Sequence, residues 1–182
     1  MPIGKKTFAV LRPAFFERPA NVVARELLGR ALVRRIRGKR VALTISETEA
    51  YLGPHDLACH AARGRTTRTE VIYGPPGTLY IYFVYGRHWM LNVVTGAEGY
   101  PAAVLIRSAG GVSGPARLTR MLGIDGALNG RLAEPGSGLW FENGKGPCKA
   151  ITTPRVGVDY AGPRWSARKL RFLVAAPKRE AR

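Results

Sequence analysis

The stretch TISETEAYLGP, Thr44 to Pro54, decides how the fold is read. A β-strand points alternate side chains to one face. Counted from Val41, the odd positions are Val41, Leu43, Ile45, Glu47, Glu49 and Tyr51, and the even ones Ala42, Thr44, Ser46, Thr48 and Ala50. The pattern predicts a strand over residues 40–52 with one face that begins aliphatic and ends in two carboxylates and a tyrosine. Gly53-Pro54 breaks it. A strand that simply emerges into solvent would leave both acids wet. A carboxylate held at the lip of a core instead has a tunable pKa and serves as a general base. Tyr51, next on that face, could stack on a planar ligand.

Working outward, residues 32–36 read as the partner strand, reached through a turn at Arg37-Gly38-Lys39. Before it, Asn21 caps a short helix over 22–28 that Gly29 closes. After it comes a loop from His55 to Thr69. GTLYIYFVYGRHWMLNVV, Gly77 to Val94, is β-branched and aromatic on both sides of Gly86-Arg87, which fits a two-residue hairpin turn with glycine first. Residues 102–107 form another strand, and Gly114-Pro115 opens a helix that runs to Gly123. Residues 125–146 are glycine-rich and read as mostly irregular. A last strand pair falls at 155–159 and 170–174, and the charged end, 178–182, reads as a loose tail. Strands dominate without alternating with long helices, and no repeat or linker interrupts them. The expectation is one α+β domain over residues 1–182, mainly antiparallel.

The chain has 182 residues, 46% of them hydrophobic, with 29 basic against 12 acidic residues and a formal charge of +17. That charge asks for a polyanion, with DNA or RNA first and an anionic membrane second. No apolar run approaches the roughly 18 residues of a membrane span. Cys59 and Cys148 fit neither a zinc nor a C-x-x-C pattern, and no secretory leader is evident, so an intracellular protein with free thiols is expected. Acids and histidines are too few and scattered for a metal site.

Several side chains could carry chemistry. His60 follows the glutamate strand and precedes Arg63, Arg65 and Arg68. Tyr80 and Tyr82 share a face of the aromatic hairpin, while Tyr85 lies beside its turn, where an exposed aromatic near Arg87 and His88 suits a wedge between stacked bases. Arg107 ends the apolar strand AAVLIR; if it faces Glu49, each relieves the other's burial. The arginines at 63, 65 and 68, with Arg117 and Arg120 on the Gly114 helix, could meet phosphates.

ETEAYLGPHDLACHA, PGTLYIYFVYG, MLNVV and VLIRS closely resemble the alkyladenine DNA glycosylases, also called methylpurine or 3-methyladenine DNA glycosylases. The resemblance runs over about residues 12–174, leaving 175–182 as a basic tail; SGPARL and RVGVDYAG support it more weakly, and residues 125–146 have no counterpart. It implies a mixed α+β domain around a curved antiparallel sheet, with a protruding hairpin that enters DNA. It implies a monofunctional enzyme, without cofactor, that flips a damaged purine from duplex DNA and lets water cleave the N-glycosidic bond. By the same resemblance Glu49 is the general base and Arg107 helps hold the water. Tyr51 stacks on one side of the flipped base, with His60 and Tyr82 on the other, and Asn92 crowds the 2-amino group of guanine. Tyr85 fills the gap left in the stack, and Arg117 meets a phosphate, with Arg65 and Arg87 as further backbone contacts. Glu47 carries no chemistry and is structural. A monomer acting on double-stranded DNA is expected. The alternatives are a non-catalytic basic nucleic-acid-binding protein, which leaves Glu49 and Arg107 unexplained, and an enzyme for a small anionic substrate, for which no glycine-rich phosphate loop is present.

Overall fold

The computed structural model describes residues 8–146 and 148–175; the expected tail at 178–182 lies outside them. β1 (Ala31–Ile36) and β2 (Lys39–Tyr51) pair antiparallel around Arg37 and Gly38, whose φ angles are 49° and 76°. Two consecutive left-handed residues give the tight turn that matches strand twist. β3 (Leu79–Val84), β4 (His88–Thr95), β5 (Ala102–Ala109), β6 (Leu139–Glu142), β7 (Ala150–Thr153) and β8 (Arg171–Val174) complete an eight-stranded sheet in the order β3-β4-β5-β2-β1-β6. β8 pairs with β2 and with β7, and every pairing is antiparallel. The α+β, mainly antiparallel expectation holds.

Beyond the four-residue α1 (Pro13–Phe16), helix α2 (Ala20–Leu27) covers the middle of the sheet. It buries Ala20, Val23, Ala24 and Leu27, spaced as one helical face. Full burial of Val23 and Leu27 stabilises the fold by about 1.5–3 kcal/mol each. Asn21 does not cap this helix. Pro19 does, its carbonyl accepting from Val22 and Val23, because its fixed φ already suits the first turn. α3 (Pro115–Met121) begins after Gly114 as expected and packs on β4 and β5.

The opening strand departs from strict alternation, and that departure builds the site. Ile45 pairs with Ala109, Glu47 with Ser108 and Thr48 with Ile106. Each strand therefore carries one extra residue, Ser46-Glu47 on β2 and Arg107-Ser108 on β5. Leu43 and Ile45 face the main core; past the irregularity Ala50 joins that core and Thr48 donates to Ala24 O of α2 at 2.8 Å. Val41 to Tyr51 is thus not one continuous face. The paired bulges hand the core to even positions and turn Glu49 and Tyr51 to the opposite side, a use to which bulges beside active sites are often put.

Three other elements differ from the sequence reading. The β3–β4 turn lies one residue earlier than Gly86-Arg87: Tyr85 (φ 52°) and Gly86 (φ 61°) are its central pair, and Arg87 N–H returns to Val84 O at 3.0 Å. Within the supposedly irregular 125–146, the fully buried Leu139–Glu142 forms β6 against β1. The last pair begins with β7 at Ala150–Thr153; residues 155–159 are not a strand, because Arg155 turns inward to an ion pair.

Candidate active site

Glu49 is fully buried (0% exposed), on the side of the sheet away from α2. Its Oε1 accepts the Val156 N–H at 2.8 Å and lies 3.4 Å from Arg107 Nη1; its Oε2 accepts the Tyr51 hydroxyl at 3.0 Å. A carboxylate offers about four lone-pair sites. Two hydrogen bonds and the Arg107 ion-pair contact use part of that capacity. Burial pushes the Glu49 carboxyl up from its ordinary value of 4.5, and Arg107, the Val156 N–H, Tyr51 and Arg155 oppose the rise without cancelling it.

Arg107 is held from behind by Glu47. Glu47 Oε1 accepts Arg107 Nε at 2.8 Å and Arg171 Nε at 2.6 Å, and Oε2 accepts the Ser108 hydroxyl at 2.6 Å. Burial would raise the Glu47 carboxyl, but these donors outweigh it and hold it below 4.5. The two glutamates at the end of β2 therefore diverge. Glu47 is held as an anion in a clamp, while burial favours the neutral form of Glu49.

The walls are aromatic. A small cavity of about 40 Å³ lies among Tyr51, His60, Tyr82 and Asn92, with Tyr80, Cys59 and Tyr160 also lining it. The His60 and Tyr82 rings sit 4.5 Å apart, edge to face, and His60 Nδ1 is 2.9 Å from the Tyr80 hydroxyl. Burial, then Arg68 and Arg63, push His60 down to about 4, so it is neutral at physiological pH. Asn92 is buried, and its amide donates to Tyr80 O at 3.1 Å and Met90 O at 3.4 Å. Cys59 is wall material: burial pushes its thiol up to about 11, far from a reactive thiolate.

The cavity opens into a wider cleft whose rim carries Leu57, Arg63, Arg68, Phe83, Tyr85 and Val156, with Arg107 inside. Tyr85 is 89% exposed in a left-handed conformation that a bulky residue rarely adopts. The structure thus brings together Glu49, Arg107, Tyr51, His60, Tyr82 and Asn92, with Tyr85 at their mouth. The proposed backbone contacts lie outside this group. Arg65, Arg87 and Arg117 are all exposed and none of them lines the cleft; Arg65 forms a two-point ion pair with Glu70.

Sequence reasoning missed Asp56, Arg155 and Tyr160. Asp56 and Arg155 form a buried two-point pair at 2.6 and 2.8 Å across 99 positions of sequence. A lone acid just past Gly53-Pro54 was the available signal for the first. RVGVDYAG contained the other two, but its arginine resembled a strand start. Among the described residues, no three His, Cys, Asp or Glu side chains are grouped to hold a metal, and no helix is long and apolar enough to cross a membrane.

The family described as Methylpurine-DNA glycosylase (MPG) matches residues 14–113 and 110–178. A protein of Myxococcus xanthus is 47% identical over 90% of this chain and 89% of its own length, and one of Methanocella arvoryzae 43% identical over 84% and 86%. A third, from Legionella pneumophila, is 41% identical over 91% and 93%. All three bear the name "Putative 3-methyladenine DNA glycosylase". The chain belongs to the methylpurine-DNA glycosylase family and is a DNA N-glycosylase, a hydrolase of N-glycosyl bonds.

Proposed function

We propose that this enzyme flips alkylated or deaminated purines out of double-stranded DNA, among them 3-methyladenine, 7-methylguanine, hypoxanthine and ethenoadenine, and hydrolyses their N-glycosidic bonds. It acts as a monomer inside the cell, in the first step of base excision repair. The observation that carries this reading is the buried Glu49 carboxylate, in ion-pair contact with Arg107 and hydrogen-bonded by Tyr51, which itself lines the aromatic cavity. The flipped base stacks on Tyr51, with His60 and Tyr82 on its other side. Bond cleavage builds positive charge on the sugar, as in other glycoside hydrolyses. Glu49 stabilises that charge and takes the proton of the attacking water, while Arg107 holds the water. A cationic methylated purine leaves readily; a neutral one is protonated as it departs. Arg87 and Arg117, with Arg65 once released from Glu70, contact phosphates.

The test is a panel of duplexes, each with one lesion, incubated with enzyme and then hot alkali. Strand breaks at alkylated purines and hypoxanthine are expected. Intact strands throughout would overturn the proposal.

Tyr85 is assigned to the gap left by the flipped base. Its exposure means that Tyr85→Ala costs the fold little, while the vacated stack loses its plug. The variant is expected to melt like wild type yet to brighten an unstacking-sensitive fluorescent base less. Equal brightening would remove Tyr85 from this role.

Asn92 is assigned to exclude guanine. Its amide is fixed by two carbonyls, so it cannot swing aside for a 2-amino group. Excluding that group is worth roughly 1–3 kcal/mol. Asn92→Ser is expected to release free guanine slowly from a G·T mispair, where flipping is least costly, with hypoxanthine excision falling less than about tenfold. A variant that still excises hypoxanthine but releases no guanine would contradict the assignment.

A further inference from the structure

We propose that Arg155 is a positioning residue: its buried guanidinium, clamped by Asp56, fixes both the ring of Tyr51 and the backbone N–H that Val156 gives to Glu49. Arg155 and Asp56 are both buried, and their two-point pair closes the loop after β2 onto the segment before α4 (Gly162–Ser166). Asp56 also accepts the N–H groups of Leu52 at 3.0 Å and Ala58 at 3.1 Å, so the loop itself is pinned. Arg155 Nη1 donates to Ala50 O at 2.9 Å, between Glu49 and Tyr51. Its guanidinium carbon lies 4.8 Å from the Tyr51 ring centre, within cation–π range. The next residue, Val156, presents its N–H to Glu49 at 2.8 Å. Arg155 Nε is buried without a hydrogen-bond partner. The guanidinium plane is thus set by three hydrogen bonds to Asp56 and Ala50 and by Tyr51, at the expense of Nε–H. A pair that served stability alone would more often be fully satisfied.

This inference rests on the reading of Glu49 as the base and Tyr51 as the stacking wall. Its consequence is electrostatic as well as geometric. The charged and titratable groups around Glu49 are Tyr51 and Glu47 on β2, Tyr82 on β3, Arg107 on β5, Arg171 on β8, and the Arg155–Asp56 pair. Removing the Arg155 charge leaves the Asp56 anion uncompensated near Glu49. Removing the Asp56 charge does the reverse.

The experiment titrates Glu49 by ¹³C NMR of its carboxyl carbon in wild type, Arg155→Gln, Arg155→Lys and Asp56→Asn, with single-turnover excision measured in parallel. Arg155→Gln is expected to move the Glu49 titration to higher pH, and Asp56→Asn to lower pH. Arg155→Lys keeps the charge but not the two-point plane, so the titration stays near wild type while excision falls about tenfold to a hundredfold, the scale of a small misplacement. Mere loosening would hydrate Glu49 and lower its titration in both neutralising variants. A fall or no change in Arg155→Gln therefore overturns the proposal. If that variant does not fold, an unmoved Asp56→Asn titration or a fully active Arg155→Lys overturns it. The NMR readout needs no activity, so a wild type that excises nothing would count against the proposed function alone.

Discussion

Glu49→Gln is expected to bind lesion-bearing duplex like wild type and to excise at least two orders of magnitude more slowly, the usual cost of losing a general base. The amide keeps the shape of the carboxylate but cannot take a proton from water or oppose charge on the sugar. The same change should not weaken the fold. The Glu49 pKa is raised by burial, so the folded protein binds this proton more readily than the unfolded chain. Ionised Glu49 therefore costs stability above its folded pKa, and the cost fades as pH falls through that value. A neutral glutamine removes it, and the variant is expected to melt no lower than wild type at pH 7. Excision by wild type should fall at acid pH with an inflection above 4.5, higher than the His60 midpoint of about 4. Calorimetry and single-turnover rates across pH measure both effects. Near-normal excision by a folded Glu49→Gln would remove Glu49 from the mechanism.

Glu47→Ala should have the opposite profile, with a large loss of stability and a smaller loss of rate. It strands Arg107, Arg171 and the Ser108 hydroxyl around an empty anion site. Removing one partner of a buried ionic cluster costs about 3 kcal/mol. Here the sign with pH reverses. The Glu47 pKa is depressed, so its contribution is full above the unfolded value and is lost as pH falls through the folded one, below 4.5. Denaturation curves of wild type and variant should lie far apart at pH 7 and converge in acid. Arg107, no longer held from behind, should present its Nη1 to Glu49 less often, slowing excision by about tenfold. A variant as stable as wild type at pH 7 would mean that the clamp contributes nothing.

What could be read from the chain divides along physical lines. Local chemistry was legible. Arg37-Gly38 forms its turn because two left-handed residues are needed there, and Gly114-Pro115 starts α3 because proline suits a first turn. The pairing of Arg107 with Glu49 was foreseeable from two charged strand ends, but the Nε bond to Glu47 that holds it was not. Non-local facts were hidden. Alternation cannot reveal a bulge, which depends on register with another strand, so Glu49 was assigned to the same face as Ile45. Leu139–Glu142 is short and set between glycines, and it is a strand only because β1 offers it an edge. The Asp56–Arg155 pair joins residues that no sequence pattern connects.

The most direct measurement is a crystal structure of Glu49→Gln with a duplex carrying the single lesion that wild type excises fastest. The expected result has the damaged purine between Tyr51 and the His60–Tyr82 pair, its C1′ carbon facing residue 49 with a water between, and Tyr85 in the vacated stack. A damaged base still stacked in the duplex, or bound away from residue 49, would contradict the account.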